Sequence, residues 1–395
     1  MPATQCVDQL RLVGPAGTNK VMAGELSRLA KRASIAQLLS TPKKQGLGTL
    51  IYPFDAQLAH VAVHYHRTSA RVVWSLYSST ELRLEPLYAG LLPLVEQEQR
   101  PWLSQDMSIS VTARGVEDFE AGERQVVGTV KNAIVEGAAA QGLRVRVDPA
   151  EPDVLLLVRM HEGTLTVSID LAGRPMNQRG YRTATGPAPL RENLAAVMAM
   201  LARHDGKSEA LLDPLAGSGT IPIEAASMAR ARPVWISPRA PACDRLAAFE
   251  AQTEAPRPLF GDTKPLCIAN DEHPGAVAMC EQQIRRAGVE AFVQCRAGDF
   301  RDLDPDEVRQ LCADRGFDPA RGLILSNPPY GERLQNDQLW RLYEDLGDYC
   351  RRFRGWRAGF LVVNPDFERA FGGEPRIRKP LSNGPLRGYF LLYDL

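Results

Sequence analysis

The sequence predicts an α/β protein whose C-terminal half is a doubly wound, mostly parallel sheet. From residue 190 onward, short apolar strand patterns alternate with helical patterns, at 210–213, 266–270, 292–296, 323–326, 359–363 and 389–393. Polar residues follow several of these strands directly, and the strand ends at 213 and 326 lead into a glycine-rich and a proline-rich loop. Ligands of such sheets bind at the carboxyl ends of the strands, so this edge is the expected functional site.

Length and composition allow a globular protein of two or three domains. The 395 residues are 44% hydrophobic and 24% charged. No apolar run reaches the roughly 18 residues that a membrane span needs. The N-terminus lacks a signal pattern, so no membrane contact and a cytoplasmic location are expected. The formal net charge of zero argues mildly against a nucleic-acid partner, although it leaves room for local basic patches.

Cysteine and histidine usage predicts neither disulfides nor a metal. The seven cysteines are odd in number, scattered along the chain and free of C-x-x-C spacing, which is typical of reduced core thiols. The six histidines show no metal-binding spacing, and His64 and His66 lack a third ligand nearby in the sequence. No metal site is therefore expected.

The N-terminal part divides into two small α/β patterns, at residues 1–80 and 81–172. The first has a helical pattern at 24–39, a strand at 47–53, a second helix at 55–67 and a strand at 71–77. The second has strands at 108–113, 153–160 and 165–171 and a helix at 123–142. Lys131 and Arg144 are candidate phosphate contacts there, beside Arg124 and Arg146, with a solvated charged face as the alternative.

A linker at 173–189 follows, and its charge is one-sided. Arg174, Arg179 and Arg182 lie within it and Arg191 just after it, with no acid between residues 173 and 191. Guanidinium groups without a counter-charge favour contact with phosphates, and Tyr181 adds a surface for base stacking. An ordinary interdomain tether is the alternative.

The glycine-rich loop lies in the stretch LLDPLAGSGTIPIE at 211–224. A dinucleotide fingerprint would need a third glycine where Pro222 stands, and a P-loop would need a lysine after Gly219. The N–H groups of such a turn and the following helix can instead face a carboxylate, while Asp213 can pair with an ammonium. S-adenosylmethionine carries that pair, and the candidate binding residues are Asp213, Pro214, Ala216, Gly217, Gly219 and Thr220. A turn without a ligand is the alternative.

The proline-rich loop lies in the stretch LILSNPPY at 323–330. Pro328 and Pro329 fix φ and stiffen the loop, which leaves the Asn327 side-chain oxygen and the Pro328 carbonyl as acceptors for an exocyclic amine. Tyr330 offers a flat face for a flipped base. These four residues are the candidate catalytic group, and a rigid loop with Tyr330 filling a core gap is the alternative.

With these motifs the sequence resembles the THUMP-domain RNA methyltransferases, and among them the bacterial 23S rRNA guanine-N2 methyltransferases. The matching segments are DPLAGSGT at 213–220, SNPPYGER at 326–333, and the pattern L-x-G at 171–173 with RGYR at 179–182. The resemblance implies a ferredoxin-like domain at 1–80, a THUMP RNA-binding domain at 81–172, the linker at 173–189, and a Rossmann-like class I methyltransferase domain at 190–395 with an antiparallel last strand. It also implies that Asp271 binds the ribose of S-adenosylmethionine.

Two further candidates follow from their position after a predicted strand. Asp299 is placed to accept a hydrogen bond from the adenine amine, and Phe300 is expected beside the adenine ring. The expected activity is methyl transfer from S-adenosylmethionine to guanine N2, in 23S rRNA. The alternatives are a tRNA guanine, adenine N6 or a glutamine amide as substrate, and an inactive RNA-binding assembly factor. An insertion at 233–263 is expected to lie over one edge of the site. The second methyltransferase domain of related fused enzymes is expected to be absent.

Overall fold

The computed structural model describes residues 4–95, 102–182, 190–236, 240–252, 256–330, 336–384 and 386–395. The chain divides into two compact units. The first comprises Met1–Gly14, Met22–Met176 and Pro238–Pro256, and the second comprises Pro15–Val21, Asn177–Ser237 and Arg257–Leu395. Among the described helices, none combines the length and the apolar character that a membrane crossing requires.

The first unit is built on one sheet of eight described strands. In chain order its elements are β1 (Thr4–Val13), α1 (Asn19–Arg32), β2 (Lys43–Gln45), β3 (Thr49–Pro53), α2 (Ala56–Tyr65), β4 (Arg71–Ser79), α3 (Leu84–Leu91), β5 (Ser108–Arg114), α4 (Glu123–Ala140), β6 (Arg146–Val147), β7 (Val154–His161) and β8 (Thr164–Asp170). The order across the sheet is β2-β3-β1-β4-β8-β7-β5-β6. The first residues of α1 belong to the second unit.

The structure joins the two N-terminal patterns that the sequence analysis separated at residues 80 and 81. Strand β4 pairs antiparallel with β8, with Trp74 opposite Ile169, so one sheet runs through both. Both strands are buried almost throughout, and hydrogen bonding them edge to edge removes two sheet edges from water. Strand β1 escaped prediction because Asp8 and Gln9 interrupt its apolar pattern beside a register shift.

The second unit confirms the predicted fold class. In chain order its elements are α5 (Glu192–Leu201), β9 (Ala210–Asp213), α6 (Thr220–Ala229), β10 (Cys267–Asp271), α7 (Pro274–Ala287), β11 (Val293–Ala297), α8 (Pro305–Asp314), β12 (Gly322–Ser326), α9 (Asn336–Arg351), β13 (Arg357–Val362), α10 (Phe367–Phe371), β14 (Ile377–Asn383) and β15 (Leu386–Asp394). The sheet order is β11-β10-β9-β12-β13-β15-β14. Strands β9 to β13 pair with one another in parallel, and β15 pairs antiparallel with both β13 and β14.

Side chains of the central strands alternate between the two faces of this sheet, and they contribute to a separate hydrophobic core on each face. Leu211 and Leu323 contribute to one core, and their chain neighbours Leu212 and Ile324 contribute to the other. Successive side chains of a strand point to opposite faces, so a strand buried on both sides is a continuous apolar run. Strand β14 lacks such a run, and its exposed Arg378 and Pro380 explain why the sequence did not predict it.

The insertion at 233–263 is divided between the two units. Its part at 238–256 groups with the first unit instead of the second. The backbone N–H groups of Ala242 and Cys243 donate to the carbonyls of Ala172 and Leu171, and Arg245 pairs with Asp153 at 3.4 Å. Backbone hydrogen bonds to the residues after β8 therefore hold this segment within the first unit. Its location over one edge of the candidate site stays a prediction.

Candidate active site

The two predicted loops lie side by side. Strands β9 and β12 are parallel neighbours, with Leu211 opposite Leu323, so both end at the same edge of the sheet. At that edge the Ser326 hydroxyl donates to Asp213 Oδ1 at 2.6 Å. A hydrogen bond between residues 113 positions apart thus joins the glycine-rich turn to the proline-rich loop.

The glycine-rich turn needs both of its glycines, for different reasons. Gly217 and Gly219 have φ values of 53° and 79°, in the left-handed region that side chains disfavour. A Cβ at Gly219 would lie 2.4 Å from the Cys280 sulfur, whereas a Cβ at Gly217 would have no atom within 4 Å. Gly219 is therefore required by close packing, and Gly217 borders open space that a ligand can approach. Helix α6 begins at Thr220, directly after the turn.

Asp271 holds this turn in place from the next strand. Its Oδ2 accepts the Gly217 N–H at 2.8 Å, and its Oδ1 accepts the His273 N–H at 3.0 Å. Each carboxylate oxygen retains acceptor capacity beyond one hydrogen bond, so the predicted contact with ribose hydroxyls is compatible with these bonds. That contact stays a prediction.

Asn270 escaped the sequence analysis because an amide inside an apolar strand carries no motif. It is buried, and its amide nitrogen donates to the carbonyls of Gly298 at 2.9 Å and Pro214 at 3.3 Å. The Asn270 carbonyl accepts the Ala216 N–H at 2.8 Å. From within β10, this side chain and its backbone carbonyl therefore connect the loops that follow the two flanking strands, β9 and β11.

Asp213 is a buried carboxylate, only 1% exposed. Burial is the main reason that its pKa is raised to about 7; the hydrogen bonds from Ser326 and the Leu215 N–H lower the pKa, and the nearby negative charge of Asp271 raises it. A carboxyl group in this setting is held as an ion by a cationic partner. The ammonium of an amino-acid ligand supplies that charge, so the chemistry of Asp213 fits the predicted cofactor.

The proline-rich loop is fixed by two tyrosine hydroxyls. Tyr330 donates to the Asn327 side-chain oxygen at 2.5 Å, and Tyr343 of α9 donates to the Pro329 carbonyl at 2.7 Å. Pro328 is buried, whereas Asn327 and Tyr330 are half-buried. The Asn327 oxygen has a second lone pair, so the loop orients an acceptor and keeps it able to receive a substrate N–H. Residues 331–335, which complete the matching segment, lie outside the described residues.

The two residues predicted to contact adenine, Phe300 and Asp299, have different surroundings in the structure. Phe300 is 3% exposed and packs edge-on against Tyr349 in the core, with ring centroids 5.5 Å apart, so little of its ring is left to contact adenine, and that contact stays a prediction. Apolar packing between α9 and the sheet takes this ring inward. Asp299 is half-buried, accepts the Arg301 N–H at 2.9 Å and pairs with the Arg301 guanidinium at 2.7 Å. A contact from Asp299 to adenine stays a prediction.

The predictions made for the arginine-rich linker differ most from the structure. Arg179 has no exposed surface and lies 3.5 Å from Glu224, and the buried Tyr181 hydroxyl donates to the same carboxylate at 3.3 Å. Contact of Arg179 or Tyr181 with RNA is therefore wrong in this structure. Arg182 pairs with Glu192 at 2.7 Å and donates to Thr220 at 3.0 Å, so it positions the start of α6. The negative charges that balance these arginines are Glu192 of α5 and Glu224 of α6, and both lie outside the linker.

The remaining predicted RNA contacts are accessible to different degrees. Arg191 is exposed, and Arg174 and Lys131 are half-buried. Arg144 is exposed and already pairs with Asp106 at 2.6 Å. Contact of these four with RNA stays a prediction, and residues 183–189 of the linker lie outside the described residues.

Comparison with known proteins gives this site a family context. The family model described as "RMKL-like, methyltransferase domain" matches residues 179–390. A "Ribosomal RNA large subunit methyltransferase K/L" of Chromohalobacter salexigens is 34% identical over 302 residues, which cover 72% of this chain and 40% of that protein. The chain spans about half the length of the curated relatives it matches.

Two solved structures share the fold over almost the whole chain. A structure titled as a predicted N6-adenine-specific DNA methylase from Listeria monocytogenes has a TM-score of 0.78 and 21% identity, and the match covers 98% of this chain and 96% of that one. A structure described as "SMU.472, a putative methyltransferase complexed with SAH" has a TM-score of 0.76 and 22% identity, and the match covers 100% of this chain and 99% of that one. At these identities the likeness establishes the fold.

Proposed function

We propose, because this chain belongs to the family of RMKL-like methyltransferase domains, that it methylates the exocyclic N2 amine of a guanosine in 23S rRNA. The methyl donor of this domain is S-adenosylmethionine. One observation carries the proposal: the Ser326–Asp213 hydrogen bond of 2.6 Å, which places a loop suited to an amino-acid ligand beside a loop of amine acceptors. The ribosomal name of the Chromohalobacter salexigens relative supports rRNA as the substrate.

The donor set at the sheet edge fits the cofactor. Asp213 would pair with its ammonium, the open side of Gly217 would admit its amino-acid end, and Asp271 would accept from its ribose hydroxyls. Asp299 would accept from the adenine amine while sharing its charge with Arg301. When bound, the cofactor supplies an electrophilic methyl group on a sulfonium.

The chain's own contribution to the reaction is orientation and electrostatic support. The Asn327 side-chain oxygen and the Pro328 carbonyl would each accept one N–H of the substrate amine, which directs its nitrogen lone pair away from the loop. Correct orientation can supply roughly 7–11 kcal/mol of the barrier. These two acceptors also stabilise the positive charge that develops on nitrogen, which loses its proton after attack. No strong base is therefore needed.

Mass spectrometry of nucleosides tests the proposal. Purified chain, S-adenosylmethionine and unmodified 23S rRNA should yield N2-methylguanosine, with little product from 16S rRNA or tRNA. The same loop chemistry suits adenine N6, so N6-methyladenosine as the product would replace guanine as the target base. Product in tRNA alone would replace the substrate. Absence of both product and calorimetric binding of S-adenosylhomocysteine would favour an RNA-binding assembly factor without catalysis.

A further inference from the structure

A cluster of two histidines and an aspartate lies in the first unit, apart from the residues of the candidate active site. His60 and His64 belong to α2, and Asp244 belongs to a short 3-10 turn, Ala242–Arg245. Asp244 Oδ1 lies 2.8 Å from His64 Nε2 and 4.0 Å from His60 Nε2. The three potential ligand atoms all lie within 4.8 Å of one another.

The fold builds this arrangement from two separate elements. Residues four apart on a helix share one face, and the His60 and His64 rings accordingly have centroids 4.3 Å apart. Asp55 fixes the start of α2 by accepting the Leu58 N–H at 2.9 Å. The turn that carries Asp244 is fixed through the Cys243 N–H, which donates to the Leu171 carbonyl at 2.8 Å. Both ligand-bearing elements are therefore held independently of any ion.

The side chains form a donor set that zinc uses. Two imidazoles and one carboxylate are the protein ligands of zinc sites that keep a fourth position for water. Zinc–ligand bonds of about 2.0–2.2 Å in a tetrahedron place neighbouring ligand atoms roughly 3.3–3.6 Å apart. The two separations from Asp244, 2.8 and 4.0 Å, lie on either side of that value, and all three ligand atoms lie within 4.8 Å of one another. Shifts of roughly 1 Å would therefore bring the three atoms to tetrahedral spacing.

Access also suits a cation. The Asp244 side chain is 29% exposed, whereas the His64 side chain is only 3% exposed, so the cluster has one open side. His66 takes no part, because its Nε2 lies 2.9 Å from the Met22 carbonyl.

We propose that His60, His64 and Asp244 bind one zinc ion, with water in the fourth position. The ion would tie α2 to the segment at 240–252 inside the first unit. The sequence analysis expected no metal site, because Asp244 is far from the two histidines in the sequence, and the proposed methyl transfer gives this cluster no role. The alternative is a His–Asp hydrogen bond with a second histidine packed beside it.

Metal titration of the full chain separates these two possibilities. Chain treated with EDTA and freed of chelator is titrated with Co²⁺, whose visible absorption reports tetrahedral coordination, and Zn²⁺ is then added as competitor. One equivalent of Co²⁺ should bind and be displaced by Zn²⁺. H60Q, H64Q and D244N should each weaken binding at least tenfold.

H161Q is the matched control, because His161 is an exposed histidine of the same unit and lies 3.6 Å from Glu162. It should bind Co²⁺ as the unaltered chain does. Zn²⁺ should raise the melting temperature of the unaltered chain and H161Q but not of the three ligand variants, whose circular dichroism confirms that they fold. Absence of saturable binding, or equal weakening in H161Q, would overturn the proposal. No readout depends on methyl transfer, so the proposed function is tested separately.

Discussion

The proline-rich loop and the arginine-rich linker were both predicted to contact RNA, but the structure leaves their side chains accessible to different degrees. Asn327 and Tyr330 remain half-buried at the sheet edge, bonded to each other at 2.5 Å. Arg179 is completely buried against Glu224. The loop was predicted from backbone chemistry, which is local. The linker was predicted from a surplus of charge, and a charge balance depends on which distant residues the fold brings near.

Removing a buried guanidinium gives the largest expected effect. R179A should lower the free energy of unfolding by about 3–5 kcal/mol, because it takes a positive charge away from the buried Glu224. Urea denaturation measures this loss. R191A, at an exposed arginine, should leave stability within about 0.5 kcal/mol and reduce the salt slope of RNA binding by about 1. A stable R179A with weakened RNA binding would return Arg179 to the RNA surface and undo the contrast.

Truncating the acceptor of the loop tests the other side of the comparison. N327A should reduce methyl transfer about 100- to 1000-fold, a loss of roughly 3–4 kcal/mol in transition-state stabilisation. S-adenosylhomocysteine affinity by calorimetry should change little. Y330F keeps the ring but removes the hydroxyl that orients Asn327, so it should cost less, about tenfold. Parallel loss of activity and cofactor affinity in N327A would assign the residue to cofactor binding instead.

The two glycines of the glycine-rich turn can be compared by their effects on stability, because only Gly219 is closely packed. G219A should destabilise the chain by about 2–3 kcal/mol, because its methyl group meets the Cys280 sulfur and its φ is positive. G217A has positive φ but open space, so about 1 kcal/mol is expected. Thermal melting compares them. Adding C280A should restore part of the stability of G219A and none of that of G217A, and equal rescue would remove the steric explanation.

The last expected effect depends on pH and concerns the protonation of Asp213. Burial raises its pKa to about 7 in the folded chain, against about 3.9 in the unfolded one. The folded state therefore binds more protons between these values, and this contribution to stability is lost as the pH rises from about 4 to about 7. D213N should lose that dependence. Urea denaturation at pH 5 and pH 8 measures it, and an identical pH dependence in both chains would show that Asp213 does not titrate there.

The same urea denaturation can be repeated with S-adenosylhomocysteine bound. Its ammonium should favour the ionised carboxylate, so saturating ligand should flatten the pH dependence of the unaltered chain. D213N should bind the ligand more weakly. A pH dependence that ligand leaves unchanged would place the ammonium elsewhere in the site.

Several elements could be predicted because their signal is local. The parallel strands β9 to β13 are short apolar runs, and the sequence placed them within one or two residues. The turn at Gly217 and Gly219 and the loop from Asn327 to Tyr330 follow from backbone restrictions that hold in any environment. The edge strand β14 and the amphipathic β1 carry weaker patterns, and neither was predicted.

By itself the sequence determined the α/β class, the glycine-rich and proline-rich loops and their place at strand ends, because chain stiffness and apolar periodicity act between neighbouring residues. Only the tertiary structure decided which side chains share a site. It buried Arg179 and Phe300, placed Asn270 where it bonds the loops after both flanking strands, and brought His64 within 2.8 Å of Asp244 across 180 positions. The free energies of burial and of charge pairing depend on neighbours in space, and those neighbours exist only once the chain has folded.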